Sequence, residues 1–186
     1  MNRLQEKYQT TVIDQLEKEF NKTNRMAVAK PTKVVVNVGV SKKENADTSK
    51  AIEAWVQQFT IIAGQKPKIS KAKKSIAGFK MRQGDPVGVT VTLRGVRMWE
   101  FLDKLISIVL PRVKDFRGVK KSNMDSVGNY NLGLTEQIVF PEINYDMIHK
   151  VAGLQVTIVN KADNRAEALK MLELLGMPFE KEEDKN

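Results

Sequence analysis

The sequence predicts an α+β fold: an antiparallel or mixed sheet with helices packed on one face, an open polar and basic face, and a projecting basic hairpin. Three observations carry that prediction. Apolar residues recur at helical spacing in several segments, they alternate with polar residues in several others, and the stretch "QKPKISKAKKSIAGFKMR" (residues 65–82) holds seven lysines and arginines without one carboxylate.

Taken in order, Leu4, Tyr8, Val12, Leu16 and Phe20 stand four apart, which makes one side of an N-terminal helix apolar. After Pro31 the period changes. Val34, Val36, Val38 and Val40 alternate with Lys33, Val35, Asn37 and Gly39, the pattern of a half-buried strand. Asp47 is placed to cap a helix whose stripe is Ile52, Trp55, Val56, Phe59, Ile62 and Ala63, with Gly64 as its stop. Trp55 and Phe59 are therefore read as core residues. In the basic stretch Lys66, Lys68 and Ser70 alternate with Pro67 and Ile69, and Lys80 and Arg82 with Phe79 and Met81. This predicts two strand arms whose cations share a face, joined by a turn around "KAKKSIAG".

Beyond "GDP", Val87, Val89, Val91 and Leu93 occupy one side of a strand and Gly88, Thr90, Thr92 and Arg94 the other. Met98, Phe101, Leu102, Leu105, Ile106 and Val109 then form an amphipathic helix ended by Pro111. Residues 112–147 show little periodicity and read mostly as loop, which at that length points to function. "LQVTIVN" returns to strand. Asn164 with Glu167 three residues on resembles a capping box for a last helix through Leu169, Leu172 and Leu175, closed by Gly176 and Pro178. Residues 180–186 read as a disordered tail.

Composition narrows the function. At 186 residues, 41% hydrophobic and 28% charged, the chain fits one soluble globular domain, and no apolar run approaches the roughly 20 residues of a spanning helix. The N-terminus "MNRLQEKYQTT" resembles neither a signal nor a transit peptide, so the expected location is cytoplasmic. Absence of cysteine excludes disulfide and thiolate chemistry.

Net charge is +9, and the seven cations of the basic stretch sit inside a span, Ala54 to Gly84, that contains no Asp or Glu. From Arg94 to Lys121 eight further cations meet three carboxylates. Such clustering costs self-repulsion unless a polyanion offsets it. A solvated lysine face is the alternative, but mixed signs would serve solubility as well. The polar sheet face would offer Lys33, Asn37, Gly39, Lys66, Lys68, Thr90, Thr92 and Arg94, and Gly39 and Gly88 would let a sugar-phosphate backbone approach closely. Cations suit phosphates, and amides and hydroxyls suit ribose and base edges, so the set reads as an RNA-binding face. Aromatic residues are missing from it, which argues for folded RNA over a stacked single strand.

Other classes find little support. His149 is the single histidine, "GDPVG" lacks the spacing of a phosphate-cradling loop, and Glu136 with Glu142 is too unspecific for an acid/base pair. No enzyme, cofactor or metal is expected. A basic amphipathic helix with bulky apolar anchors is also missing, so no membrane partner is expected.

"VNVGV", "GQKPKISKAKKSIAGFKMRQGDPVG", "VTLRGVRMWEFLDKLI", "PRVKDFRG" and "GNYNLGLTEQIVFPEI" are collinear with the family of bacterial large-subunit ribosomal protein number five, which the chain resembles from about Leu4 to Phe179. The resemblance implies one ribosomal-protein domain over residues 1–179, with the hairpin at about 65–84. It implies binding of 5S rRNA in the central protuberance by the open sheet face, with Asn37, Gln65 and Thr92 matching the family's polar contacts among the set Lys33, Asn37, Gln65, Lys66, Lys68, Thr90, Thr92 and Arg94. It further implies that the hairpin tip, Lys73, Lys74, Ser75, Ile76, Ala77, Gly78 and Phe79, touches a P-site tRNA. Other implied partners are large-subunit rRNA, neighbouring central-protuberance proteins, and a small-subunit head protein across an intersubunit bridge sought in residues 112–146. Ser41 departs from the family's usual glycine. An RNA-binding assembly or regulatory factor outside the ribosome is the alternative reading.

Overall fold

The computed structural model describes residues 2–40, 48–144, 148 and 150–180. Asp47 as a cap, the turn at Ser41, His149 and all of the expected 180–186 tail except Glu180 lie outside them; the Glu180 N–H is held by the Val119 carbonyl at 3.0 Å. Five strands, β1 (Lys30–Gly39), β2 (Lys68–Lys71), β3 (Pro86–Leu93), β4 (Tyr130–Leu134) and β5 (Leu154–Lys161), form an open antiparallel sheet in the order β2-β3-β1-β5-β4. The chain divides into two compact units, one of Met1–Val34, Arg94–Leu132 and Thr157–Asn186, the other of Val35–Leu93 and Gly133–Val156.

In the first unit α1 (Arg3–Lys7) and α2 (Ile13–Glu19) are joined through a π-helical turn, Tyr8–Val12. Steps of four residues overshoot a 3.6-residue turn, so a straight α-helix would carry the apolar stripe around its axis. The wider π turn, whose bond runs from the Ile13 N–H to the Tyr8 carbonyl five residues back, takes up that excess. Leu4, Tyr8, Val12 and Leu16 are consequently all buried, while Phe20, beyond the helix, is only half-buried. The same device extends α4 (Gly95–Lys104) through the π-helical Leu105–Val109, keeping Phe101, Leu105 and Val109 in the core.

Side-chain hydrogen bonds lock this unit. Tyr8 tilts against Trp99 with centroids 5.3 Å apart and donates its hydroxyl to the Ala29 carbonyl at 2.9 Å. Helix α5 (Arg165–Leu175) starts at Asn164, whose Oδ1 accepts the Glu167 N–H at 2.8 Å. Glu167 does not complete the expected box on Asn164. Its buried carboxylate accepts the Ala29 N–H at 3.0 Å and the Asp163 N–H at 3.2 Å, and lies 3.4 Å from Lys22 Nζ. At the other end Gly176, at φ +105°, allows the Met177 N–H to reach the Leu172 carbonyl at 2.9 Å, a conformation that a side chain would strain.

Residues 112–144 are more ordered than their sequence predicts. Strand β4 lies within them: Tyr130, Leu132 and Leu134 are buried and alternate with Asn131 and Gly133. Asp125 organises the preceding turn by accepting from the Asn129 amide at 2.8 Å and from the Val127 and Asn129 N–H groups. Those bonds, the Asn129 side chain's first, hold its carboxyl below the usual range.

In the second unit α3 (Thr48–Ala63) buries Ile52, Trp55, Phe59 and Ile62 and packs on β3. Trp55 and Phe59 meet edge-to-face at 5.5 Å, confirming them as core. Val36 and Val38 on β1 and Val89, Val91 and Leu93 on β3 are buried, as their alternation requires.

Candidate nucleic-acid interface

The residues opposite that core form a row across three strands of the second unit. Asn37 is exposed on β1, and Thr90 on β3 donates its hydroxyl to Asn37 Oδ1 at 2.7 Å. Ser70 Oγ on β2 lies 3.3 Å from the same Thr90 hydroxyl. Lys68 pairs directly with Thr90 in the β2–β3 register, and alternation places it on the face that Ser70 occupies two residues on. Gln65, ahead of β2, donates its amide to the Thr92 carbonyl at 3.2 Å. Asn37, Lys68, Thr90 and Thr92, from separate parts of the sequence, are thus gathered on one sheet face, and Gln65 is tied to the main chain of β3 beside them.

The basic segment folds differently from its two predicted arms. Its first arm is β2, but its partner is β3, in the register Lys68↔Thr90, Ile69↔Val89, Ser70↔Gly88. Residues 79–82 are not a strand: Ala77–Phe79 is a 3-10 turn and Lys80 takes a left-handed φ of +52°. The connection between β2 and β3 is held by its own backbone. Ala72 donates to Asp85 at 2.8 Å and Gly84 to Ala72 at 2.9 Å, while Ile76 and Met81 form an isolated bridge. Asp85 accepts the Arg82 N–H at 2.7 Å, and Ser75 Oγ accepts the Gln83 N–H at 2.9 Å. Residues 73–80 are all exposed, Ile76 and Phe79 included.

Electrostatically the segment stands apart. None of Lys66, Lys68, Lys71, Lys73, Lys74, Lys80 and Arg82 makes an ion pair among the described residues. In the first unit, by contrast, Arg3 bonds Asp103 at 2.7 Å, Lys170 bonds Glu19 at 3.1 Å, and Lys22 bonds Asp163. Hydrogen bonding to Asp163 raises the Lys22 pKa, and the same contact holds the Asp163 carboxyl below its usual range.

Some expected residues fall elsewhere. Lys33 lies in the first unit, half-buried, on the part of β1 that belongs to it. Arg94 is not on β3, which ends at Leu93; it is the residue before α4 and is exposed. Gly88 is no opening for a ligand either, because a Cβ there would stand 2.5 Å from the Val38 carbonyl oxygen. Its smallness serves the approach of β3 to β1, whereas a Cβ at exposed Gly39 would meet nothing within 4 Å. Ser70 is absent from the expected contacts, although its place on the Lys66 and Lys68 side of the alternation with Pro67 and Ile69 is the signal for this row.

Among the described residues no group of three or more His, Asp or Glu side chains could hold a metal ion, and no helix is long and apolar enough to cross a membrane. The arrangement offers unpaired cations beside neutral hydrogen-bonding groups, which suits a phosphate backbone with ribose or base edges next to it.

Residues 24–82 match the family model described as ribosomal protein L5, and residues 86–179 match the model of the same ribosomal family's C-terminus. The large ribosomal subunit protein uL5 of Thermoanaerobacter sp. (strain X514) is 54% identical over 181 residues, which cover 97% of this chain and 100% of that protein.

Proposed function

Because the chain belongs to the ribosomal protein L5 family, whose members are structural and non-enzymatic components of the large subunit, we propose that it binds 5S rRNA there through the polar face of its second unit. The observation that carries this reading is the coincidence of the Asn37–Thr90–Ser70 row with a lysine-rich strand whose cations have no acid partners among the described residues. Lys66 and Lys68 neutralise phosphates and supply most of the affinity, while Asn37, Gln65 and Thr92 fix register. Thr90 completes the set on this face, whereas Lys33 and Arg94 belong to the first unit and stand outside it. The tip residues Lys73, Lys74, Ser75, Ile76, Ala77, Gly78 and Phe79 reach the P-site tRNA. Residues 112–146 provide the bridge to a small-subunit head protein, and large-subunit rRNA and central-protuberance proteins are the remaining neighbours.

The test is binding of the purified protein to 5S rRNA and to a length-matched structured RNA across a salt series. Survival of 5S binding at physiological salt while the control falls away supports the reading. Two curves that fall together with one slope would reduce the face to a polyanion trap.

A further inference from the structure

We propose that Ser70 and Thr90 are positioning residues that present Asn37 as a one-way hydrogen-bond donor to an oxygen acceptor on the bound RNA, an inference that rests on the RNA-binding reading above. A carboxamide oxygen carries no hydrogen, so in the 2.7 Å contact between Thr90 Oγ1 and Asn37 Oδ1 the hydroxyl is the donor. Thr90 has one hydroxyl proton. With that proton committed to Asn37, the 3.3 Å contact between Ser70 Oγ and Thr90 Oγ1 runs from Ser70 to Thr90. The chain of bonds therefore has a direction, Ser70 to Thr90 to Asn37.

That direction determines what Asn37 can recognise. One lone pair of its oxygen is taken by Thr90, which draws that end of the amide toward the strand, and its Nδ2 makes no hydrogen bond among the described residues, which leaves both amide protons of this exposed side chain available to a ligand. An unbraced asparagine can turn either end of its amide to a ligand. Here the two hydroxyls hold the NH2 end outward, which favours a phosphate or ribose oxygen and disfavours a donor. Lys68, on the same face opposite Thr90, adds a positive charge consistent with a phosphate. Half-buried Thr90, counted by alternation among the RNA contacts, then acts through Asn37.

Two measurements test this on the full chain. The first uses no RNA: the side-chain amide of Asn37 is followed by NMR in the wild type, Thr90→Val, Ser70→Ala and Thr90→Ser. Thr90→Val should shift the Asn37 amide signals and lower their order, Ser70→Ala should do so less, and Thr90→Ser should restore them while backbone signals stay native. Unchanged Asn37 signals in folded Thr90→Val would overturn the proposal. The second measures 5S rRNA affinity in a double-mutant cycle. Thr90→Val should weaken binding about fivefold in the wild-type background and not at all in Asn37→Ala, with Thr90→Ser close to wild type. An equal loss in the Asn37→Ala background would make Thr90 a direct RNA contact and overturn the relay. If the NMR behaviour holds while wild-type protein fails to distinguish 5S rRNA from the control RNA, the RNA-binding reading falls and the bracing of Asn37 stands.

Discussion

The first unit and the β2–β3 hairpin both carry many cations, yet they use them in opposite ways. In the first unit Arg3, Lys22, Arg25, Lys121 and Lys170 each lie beside a carboxylate, and Lys22 reaches both Asp163 and the buried Glu167. The seven cations from Lys66 to Arg82 make no such pair among the described residues. Paired charge serves the fold, and most surface pairs serve it weakly. Unpaired charge clustered on a hairpin works against the free protein and is offset only when an anion arrives. Hydrogen-bonding groups divide in the same way. Those around Glu167 are satisfied internally, while the row from Ser70 through Thr90 ends at exposed Asn37.

The sharpest way to break this contrast is Glu167→Ala. It would leave the Ala29 and Asp163 N–H groups without their acceptor and Lys22 without a buried partner. A loss of about 3 kcal/mol in urea unfolding is expected. Replacing Lys66, Lys68 and Lys71 together by Gln should do the reverse. Stability should stay within about 0.5 kcal/mol, while 5S affinity falls by roughly tenfold or more and the slope of log K against log salt becomes shallower by about 2. Thr92→Ala should cost about 1 kcal/mol in 5S affinity, the scale of one net hydrogen bond, because the carbonyl that holds Gln65 remains. Lys73→Ala with Lys74→Ala should leave 5S binding unchanged and weaken tRNA-dependent steps of translation in reconstituted ribosomes; unimpaired translation would remove the tRNA contact.

The smallest effect concerns acid. Asp163 has its folded pKa depressed by Lys22, so its contribution is present above the ordinary value of 3.8 and is lost as pH falls through the lower folded value. Thermal midpoints measured between about pH 5 and 3 should fall less steeply in Asp163→Asn than in wild type. The hairpin cations, lacking acid partners, should contribute nothing to that difference.

Much of this contrast was legible in the sequence. Alternation identified β1, β3 and β5 and the outward side of β1 and β3, and helical spacing identified the buried stripes. Carboxylate-free composition located the basic segment without any structure. Pairing was not legible, because the alternation of Phe79 to Arg82 mimics a strand and only the fold shows that β2 pairs with β3 while residues 76–81 close on themselves. Strand β4 does alternate Tyr130, Leu132 and Leu134 with Asn131 and Gly133, but at five residues between the turn at Gly128 and an irregular stretch its signal is too short to stand out. The contacts of Glu167 with Ala29 and Lys22, and the direction of the bonds from Ser70 to Asn37, join residues far apart in the chain. No local pattern contains them.

Lysine reactivity compares the two regions most directly: acetylation of each lysine, read by mass spectrometry, in the free protein and in its 5S rRNA complex. Lys66 and Lys68 should become protected in the complex, Lys73 and Lys74 should stay reactive, and Lys121 and Lys170 should not change. Protection centred on Lys121 and Lys170, with Lys66 and Lys68 still reactive, would contradict RNA binding by the second unit's polar face.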